Sequence, residues 1–277
     1  MSRTALPLEP ATLAVERTDP VQGATGDVVV FLHGLGGNSM VHYLLQQQVV
    51  DRFTTVSVDF SGLGRSAERP VSSFGQWIED ARTAIPAEAA RLLVVGHSMG
   101  SLVARHLAAE DPRVRGLVLY GPVLAPDEST RGIFLARAGD ALGQGMVHVA
   151  DRFGLGGISP ETRRGPSLPA LIVRNFLMSQ VPERYAEASR AMSEAWEPSC
   201  PPLSLAAATV VHGLDDAIST PEVAQEVASA LGQEDTRIIS LPGTGHWPTI
   251  EQPQPSIDAL EETLASTFIN VLTHERQ

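Results

Sequence analysis

Leu92-Leu93-Val94-Val95-Gly96-His97-Ser98-Met99-Gly100-Ser101-Leu102-Val103-Ala104-Arg105-His106-Leu107 is the stretch from which the fold can be read. Four apolar residues in a row have strand character. A short turn follows, with glycine at each end and serine in the middle, and beyond it the apolar positions recur at helical spacing. A strand, a sharp turn and a helix in that order make Gly-x-Ser-x-Gly a nucleophile elbow. The turn is tight enough to strain the serine backbone, and a Cβ at position 96 or 100 would meet neighbouring chain, hence the two glycines. The strain lifts the Ser98 hydroxyl above the end of the sheet and turns the Met99 N–H toward the same point. Ser98 is the candidate nucleophile, and Met99 a candidate oxyanion donor.

Outward from the elbow the same alternation continues. Strand-like runs at 28–32, 54–59 and 114–120 are separated by helical patterns at 39–50 and 72–85. The alternation resumes with a strand pattern at 208–212, a helix at 221–231, a strand at 237–241 and a helix at 255–272. Regular βαβ alternation predicts a parallel sheet with helices on both faces. The segment 122–203 breaks it, with no convincing strand, glycines at 139, 143, 145, 154, 156 and 157, and helical stretches between prolines. It reads as a mostly helical lid over the strand ends, which divides the chain into a first core part (1–123), a lid (124–202) and a second core part (203–277). Within the lid, Tyr185, Ala188, Met192 and Trp196 recur at helical spacing from Pro182 onward, a stripe that reads first as core and second as pocket lining.

Composition narrows the function. The 277 residues carry 20 Lys plus Arg against 32 Asp plus Glu, a formal charge of −12, and no basic run stands out. Nucleic acid and anionic membrane are poor partners for such a chain. Cys200 is the single cysteine, so no intrachain disulfide can form. Residues 1–22 lack the apolar core of a signal peptide, and no run approaches the roughly 18 apolar residues of a membrane helix. A cytoplasmic protein acting on a small molecule is expected. Oligomeric state is not encoded in these features, although an apolar lid surface would suit a homodimer.

A serine hydroxyl needs a base, a group that orients the base, and donors for the developing oxyanion. His246 lies in the glycine-rich loop Gly243-Thr244-Gly245-His246-Trp247-Pro248 after the strand pattern 237–241, where α/β sheets place their ligands. It is the candidate base. The preceding strand ends in His212-Gly213-Leu214-Asp215-Asp216, and the chain order Ser, Asp, His is the one expected of this architecture. Asp216 is the preferred acid, with Asp215 the alternative. His33-Gly34-Leu35-Gly36-Gly37 follows the first strong strand and can turn backbone N–H groups into an open site. The Leu35 N–H is the second candidate oxyanion donor. The loop lacks the lysine of a phosphate loop. Gly34, His97, Trp247, Tyr185 and Met192 are candidate pocket residues. Asp59 and Arg65, in a glycine-rich turn, are expected to pair or cap backbone. The remaining histidines, among them His33, His42, His106, His148, His212 and His274, show no metal-ligand spacing, and neither metal nor cofactor is expected.

Taken together, His33-Gly-Leu-Gly-Gly, Asp59 to Ser66, Gly96-His-Ser-Met-Gly, Gly213-Leu-Asp-Asp and Gly245-His-Trp-Pro resemble the α/β-hydrolase fold family in order and spacing, over roughly 23–123 and 203–272. The resemblance implies a mostly parallel eight-stranded sheet flanked by helices, with a helical lid between strands six and seven. It also implies Ser98 as nucleophile, Asp216 as acid and His246 as base. The lid segment 170–196 is loosely similar to that of 3-oxoadipate enol-lactonase-like hydrolases. A small, largely apolar ester or lactone is the expected substrate. Carbon–carbon bond hydrolysis and cofactor-free perhydrolysis stay open, since the same triad serves them; His97 counts against the former and Trp247 resembles it. A hydrolase-derived ligand receptor and a biosynthetic acyl-transfer or cyclisation enzyme stay open as well.

Overall fold

The computed structural model describes residues 12–23 and 26–269. The readings for residues 1–11, for His274 and for the end of the last helical pattern lie outside the described residues. Seven strands form one sheet: β1 (Ala14–Thr18), β2 (Asp27–Leu32), β3 (Thr54–Asp59), β4 (Arg91–His97), β5 (Val114–Tyr120), β6 (Ala207–Gly213) and β7 (Arg237–Leu241). Their spatial order is β1-β3-β2-β4-β5-β6-β7, with β1 antiparallel to β3 and every other pair parallel.

Six of these strands coincide with the apolar runs of the sequence. β1 does not, because its residues, Ala-Val-Glu-Arg-Thr, are mostly exposed on a sheet edge and carry no apolar alternation. The described sheet therefore has one strand fewer than the eight implied by family resemblance. The helical insertion accordingly falls between the fifth and sixth strands rather than the sixth and seventh.

The helices are α1 (Tyr43–Gln47), α2 (Phe74–Ala84), α3 (Met99–Glu110), α4 (Glu128–Val149), α5 (Leu168–Met178), α6 (Pro182–Ser193), α7 (Pro221–Ala230), α8 (Pro248–Glu251) and α9 (Pro253–Leu264). Strand alternation splits the core in two. Val28, Val30 and Leu32 of β2, with Leu92 and Val94 of β4, face a core shared with α2, α3 and α7; Val29, Phe31, Leu93 and Val95 face one shared with α1 and α9. Phe74, Trp77, Ile78 and Ala81 explain why α2 forms where it does, since that spacing gives one buried stripe.

Between β5 and β6 lie α4, α5 and α6 and no strand. Asp127 caps α4 by accepting from the Thr130 N–H at 2.8 Å, and prolines occupy the first turns of α5 and α6. Not every glycine of this segment interrupts a helix. α4 runs straight through Gly139 and Gly143, which keep helical backbone, and kinks at Gly145, where φ is 80° and ψ 171°.

Two consecutive connections leave β2 in opposite directions, to β3 on one side and, through β3, to β4 on the other. The carboxyl ends of β2 and β4 thus border the point where strand order reverses, which is where open α/β sheets bind ligands.

Candidate active site

The elbow has the geometry its glycines predict. Ser98, between β4 and α3, has φ 51° and ψ −121° and is the only non-glycine residue with positive φ among the described residues. A Cβ on Gly96 would sit 2.5 Å from the Gly100 carbonyl oxygen, and one on Gly100 would overlap the carbonyl oxygen of Leu32 on β2. Such a backbone costs about 1–3 kcal/mol and persists because its surroundings over-determine it. Ser98 donates its backbone N–H to Tyr120 of β5 at 3.0 Å and accepts at its carbonyl from the Ser101 N–H at 2.8 Å.

Three distant segments meet at its hydroxyl. His246 Nε2 lies 2.9 Å from Ser98 Oγ, and His246 Nδ1 lies 2.8 Å from Asp216 Oδ2. Burial pushes the Asp216 carboxyl up, but the charge and hydrogen bond of His246, with backbone N–H groups of Ile218 and Ser219, outweigh it and hold the group below the usual carboxylate range. An ionised Asp216 only accepts, so Nδ1 carries the proton and Nε2 keeps a lone pair facing the serine. Asp215 is exposed and donates its backbone N–H to the Thr244 carbonyl at 2.9 Å, whereas the carboxylate on His246 Nδ1 is that of Asp216. A Cβ on Gly213 or Gly245 would run into the histidine loop or the Gly157–Ser159 chain, so both glycines serve close packing.

Three buried neutral histidines tie down the backbone around these groups. His97 donates from Nε2 to the His246 carbonyl at 2.7 Å, His42 from Nε2 to the Leu32 carbonyl at 3.2 Å, and His33 from Nδ1 to the Gly34 carbonyl at 2.8 Å. His33 completes its ring by accepting from the Phe60 N–H at 3.0 Å. Burial drives all three below the ordinary histidine pKa, His42 to about 4. Arg65 and Asp59 pair at 2.9 Å, and Asp59 also accepts from the Ser39 and Arg65 N–H groups, so the second glycine turn is a rigid border.

A cavity of about 410 Å³ opens over Ser98 and His246, within the range of small-molecule sites. Leu35 and Met99 both line it, as do His97, Met192 and Trp247. As the first residue of α3, Met99 has no intrahelical acceptor for its N–H. The Gly34–Gly37 loop closes on itself through the Gly37 N–H to Gly34 carbonyl bond at 3.0 Å.

Two pocket candidates do not line the cavity. Gly34 packs against the His97 ring and the Ser98 Cβ, where its own Cβ would sit 2.9 Å from each. Tyr185 is fully buried behind the wall, its hydroxyl accepting from Arg137 at 2.8 Å. His97 touches the cavity, but its ring is committed to the His246 carbonyl and acts as a strut. Trp196 lies past the end of α6 and packs edge-on against Phe74 at 5.3 Å.

Two side chains that staple the lid to the catalytic-looking loops escaped the sequence. Gln180, buried between α5 and α6, accepts from the Gly64 N–H at 3.1 Å and donates to the Gly36 and Gly37 carbonyls at 3.2 and 3.3 Å. Glu251 of α8 accepts from the Gly245 and Trp247 N–H groups with one oxygen and from the Ser159 N–H and Thr162 hydroxyl with the other. Their partners lie up to 144 residues away, so no local pattern marks them. Among the described residues no group of three or more His, Cys, Asp or Glu is placed to hold a metal ion, and no helix is long and apolar enough to cross a membrane.

The fold is shared with known proteins. Among solved structures, an esterase from Thermogutta terrifontis superposes with TM-score 0.77 at 24% identity over 92% of this chain and 93% of that one. The enol-lactonase from Burkholderia xenovorans LB400 superposes with TM-score 0.79 at 21% identity over 91% and 96%. By sequence, the pimeloyl-[acyl-carrier protein] methyl ester esterase of Aliivibrio fischeri is 31% identical over 111 residues, 39% of this chain and 42% of that protein. The chain spans between 27% and 50% of the length of the curated relatives it matches. The family model described as "Alpha/beta hydrolase family" matches residues 29–259, most of the chain and every strand from β3 to β7. With that match, the reversal point in the sheet and the strained serine above it, the chain belongs to the alpha/beta hydrolase family.

Proposed function

We propose that this alpha/beta hydrolase is a serine hydrolase that cleaves a small, largely apolar carboxylic ester or lactone through an acyl-enzyme. The observation that carries the reading is the run of two hydrogen bonds from Ser98 Oγ through the His246 ring to Asp216, set at the floor of a mostly apolar cavity. Ser98 Oγ attacks the carbonyl carbon while His246 Nε2 takes its proton. The oxyanion then falls to the N–H groups of Leu35 and Met99, each worth roughly 10²–10³ in turnover. Asp216 stabilises the imidazolium and does not itself take the proton. His246 returns that proton to the leaving oxygen, and water, deprotonated by the same imidazole, releases the acid and frees Ser98.

The esterase and enol-lactonase among the solved neighbours, and the methyl ester esterase among the partial relatives, are in keeping with ester or lactone chemistry. A cytoplasmic setting rests on cysteine usage, the lone Cys200. The test is a panel of 4-nitrophenyl esters of graded acyl length run beside several lactones, with the Ser98→Ala protein as control. Turnover of at least one class that falls by several orders of magnitude in the variant is expected; turnover unchanged by Ser98→Ala overturns the reading.

A further inference from the structure

Arg137 is the only lysine or arginine among the residues that line the cavity. Other arginines of this chain are matched to carboxylates: Arg65 to Asp59, Arg91 to Asp27, Arg105 to Glu197, Arg174 to Asp151. Arg137 is not matched to any among the described residues. Its hydrogen bond goes from Nη2 to the Tyr185 hydroxyl at 2.8 Å, and its Nε–H is buried without an acceptor. The guanidinium carbon stands 4.4 Å from the ring centre of Phe153, 5.7 Å from that of Phe134 and 5.9 Å from that of Tyr185. The one carboxylate on the same wall, Asp127, is occupied at the start of α4, accepting from the Thr130 N–H and the Ser129 hydroxyl. Ten residues of helix separate it from Arg137, about 15 Å along the axis.

A guanidinium set among three rings, half-buried and with its Nε–H out of water, is held in place and partly desolvated, which strengthens its attraction to an anion. One hydrogen bond from five N–H donors leaves donors on both Nη atoms, the fork that matches a carboxylate. The rest of the lining is mostly apolar and would accommodate a hydrocarbon chain between that fork and Ser98.

We infer that Arg137 is a specificity-determining residue that receives a carboxylate at the far end of the substrate's acyl chain, so the preferred substrate is an ester of a dicarboxylic acid with one free carboxylate. This rests on the serine-hydrolase reading above. The rival reading, that Arg137 only packs the lid through its rings, differs in what it predicts for a neutral substrate.

The experiment compares kcat/KM of the full chain for 4-nitrophenyl hexanoate and for the matching half-ester of adipic acid, with succinate and suberate half-esters to vary the reach. Wild type, Arg137→Met, Arg137→Lys and Ser98→Ala are measured. Wild type is expected to prefer a half-ester over hexanoate by about tenfold or more, the range of charge-assisted hydrogen bonds. Arg137→Met removes that preference mainly through KM and leaves hexanoate nearly unchanged, and Arg137→Lys keeps part of it. Should Arg137→Met be insoluble, inhibition of wild type by adipate against its neutral counterpart adipamide carries the same test, stronger inhibition by adipate being the expected result. 4-Nitrophenyl hexanoate turned over as well as every half-ester, equal inhibition by adipate and adipamide, or an equal loss on both substrates in Arg137→Met overturns the assignment while leaving the hydrolase intact. No Ser98-dependent turnover of any ester overturns the hydrolase reading and the assignment with it.

Discussion

Ser98, His246 and Asp216 come from three loops, and each was legible because its loop is a contiguous signature: a serine between two close-packing glycines, and a glycine-led loop at the end of each of the last two strands. What decides between Asp215 and Asp216 is a single residue of loop path, and only the 2.8 Å bond from His246 Nδ1 separates them. Asp216→Asn places an amide donor against Nδ1, which forces the imidazole proton onto Nε2, where it blocks transfer from Ser98. A fall in kcat on the order of 10⁴ is expected, by analogy with another serine hydrolase. Asp215→Asn, at an exposed side chain, should leave kcat within about threefold. Steady-state kinetics of the two variants on one good ester checks this, and a larger loss at Asp215 would reverse the assignment. His33 and His42 were legible only as histidines without metal spacing, and His97 as a candidate pocket residue. Their task of holding backbone carbonyls depends on contacts up to 149 residues away.

At the scale of elements, the central strands β2 and β4 were readable because strands buried on both faces are near-continuous apolar runs, whereas β1 is a polar edge and gave no such signal. In the lid, the alanines and leucines of α4 carry the helix through Gly139 and Gly143. The lid touches the site through one backbone bond, the His246 N–H to the Gly157 carbonyl at 2.6 Å, and through side chains. Glu251 binds the histidine loop and the Ser159–Thr162 turn at once, so Glu251→Ala should loosen His246 without removing any reacting group. A tenfold to hundredfold fall in kcat is expected, of the size that follows a misplacement of about 1 Å, with KM little changed. A variant with wild-type kcat would show that the loop holds its position without the staple.

Across the whole molecule, the buried histidines make stability depend on pH. A histidine whose pKa is lowered by folding binds protons more readily when unfolded, so its stabilisation is complete above the ordinary value of 6.5 and is lost as pH falls toward the folded value. For His42 that window runs from 6.5 down to about 4, and the loss is on the order of 3 kcal/mol. His33 and His97 add to it in the same direction. Urea denaturation at a series of pH values should show midpoints falling steadily below about pH 6.5; a flat profile down to pH 4 would mean these rings are not held neutral. The central claim, that three segments 30 to 148 residues apart assemble one reactive serine, is tested most directly by labelling the folded protein with a fluorophosphonate probe and mapping the adduct by mass spectrometry. The account predicts a single rapid adduct at Ser98 that is absent from Ser98→Ala and slowed in Asp216→Asn. Folded wild-type protein that takes no label, or takes it at another serine, would contradict it.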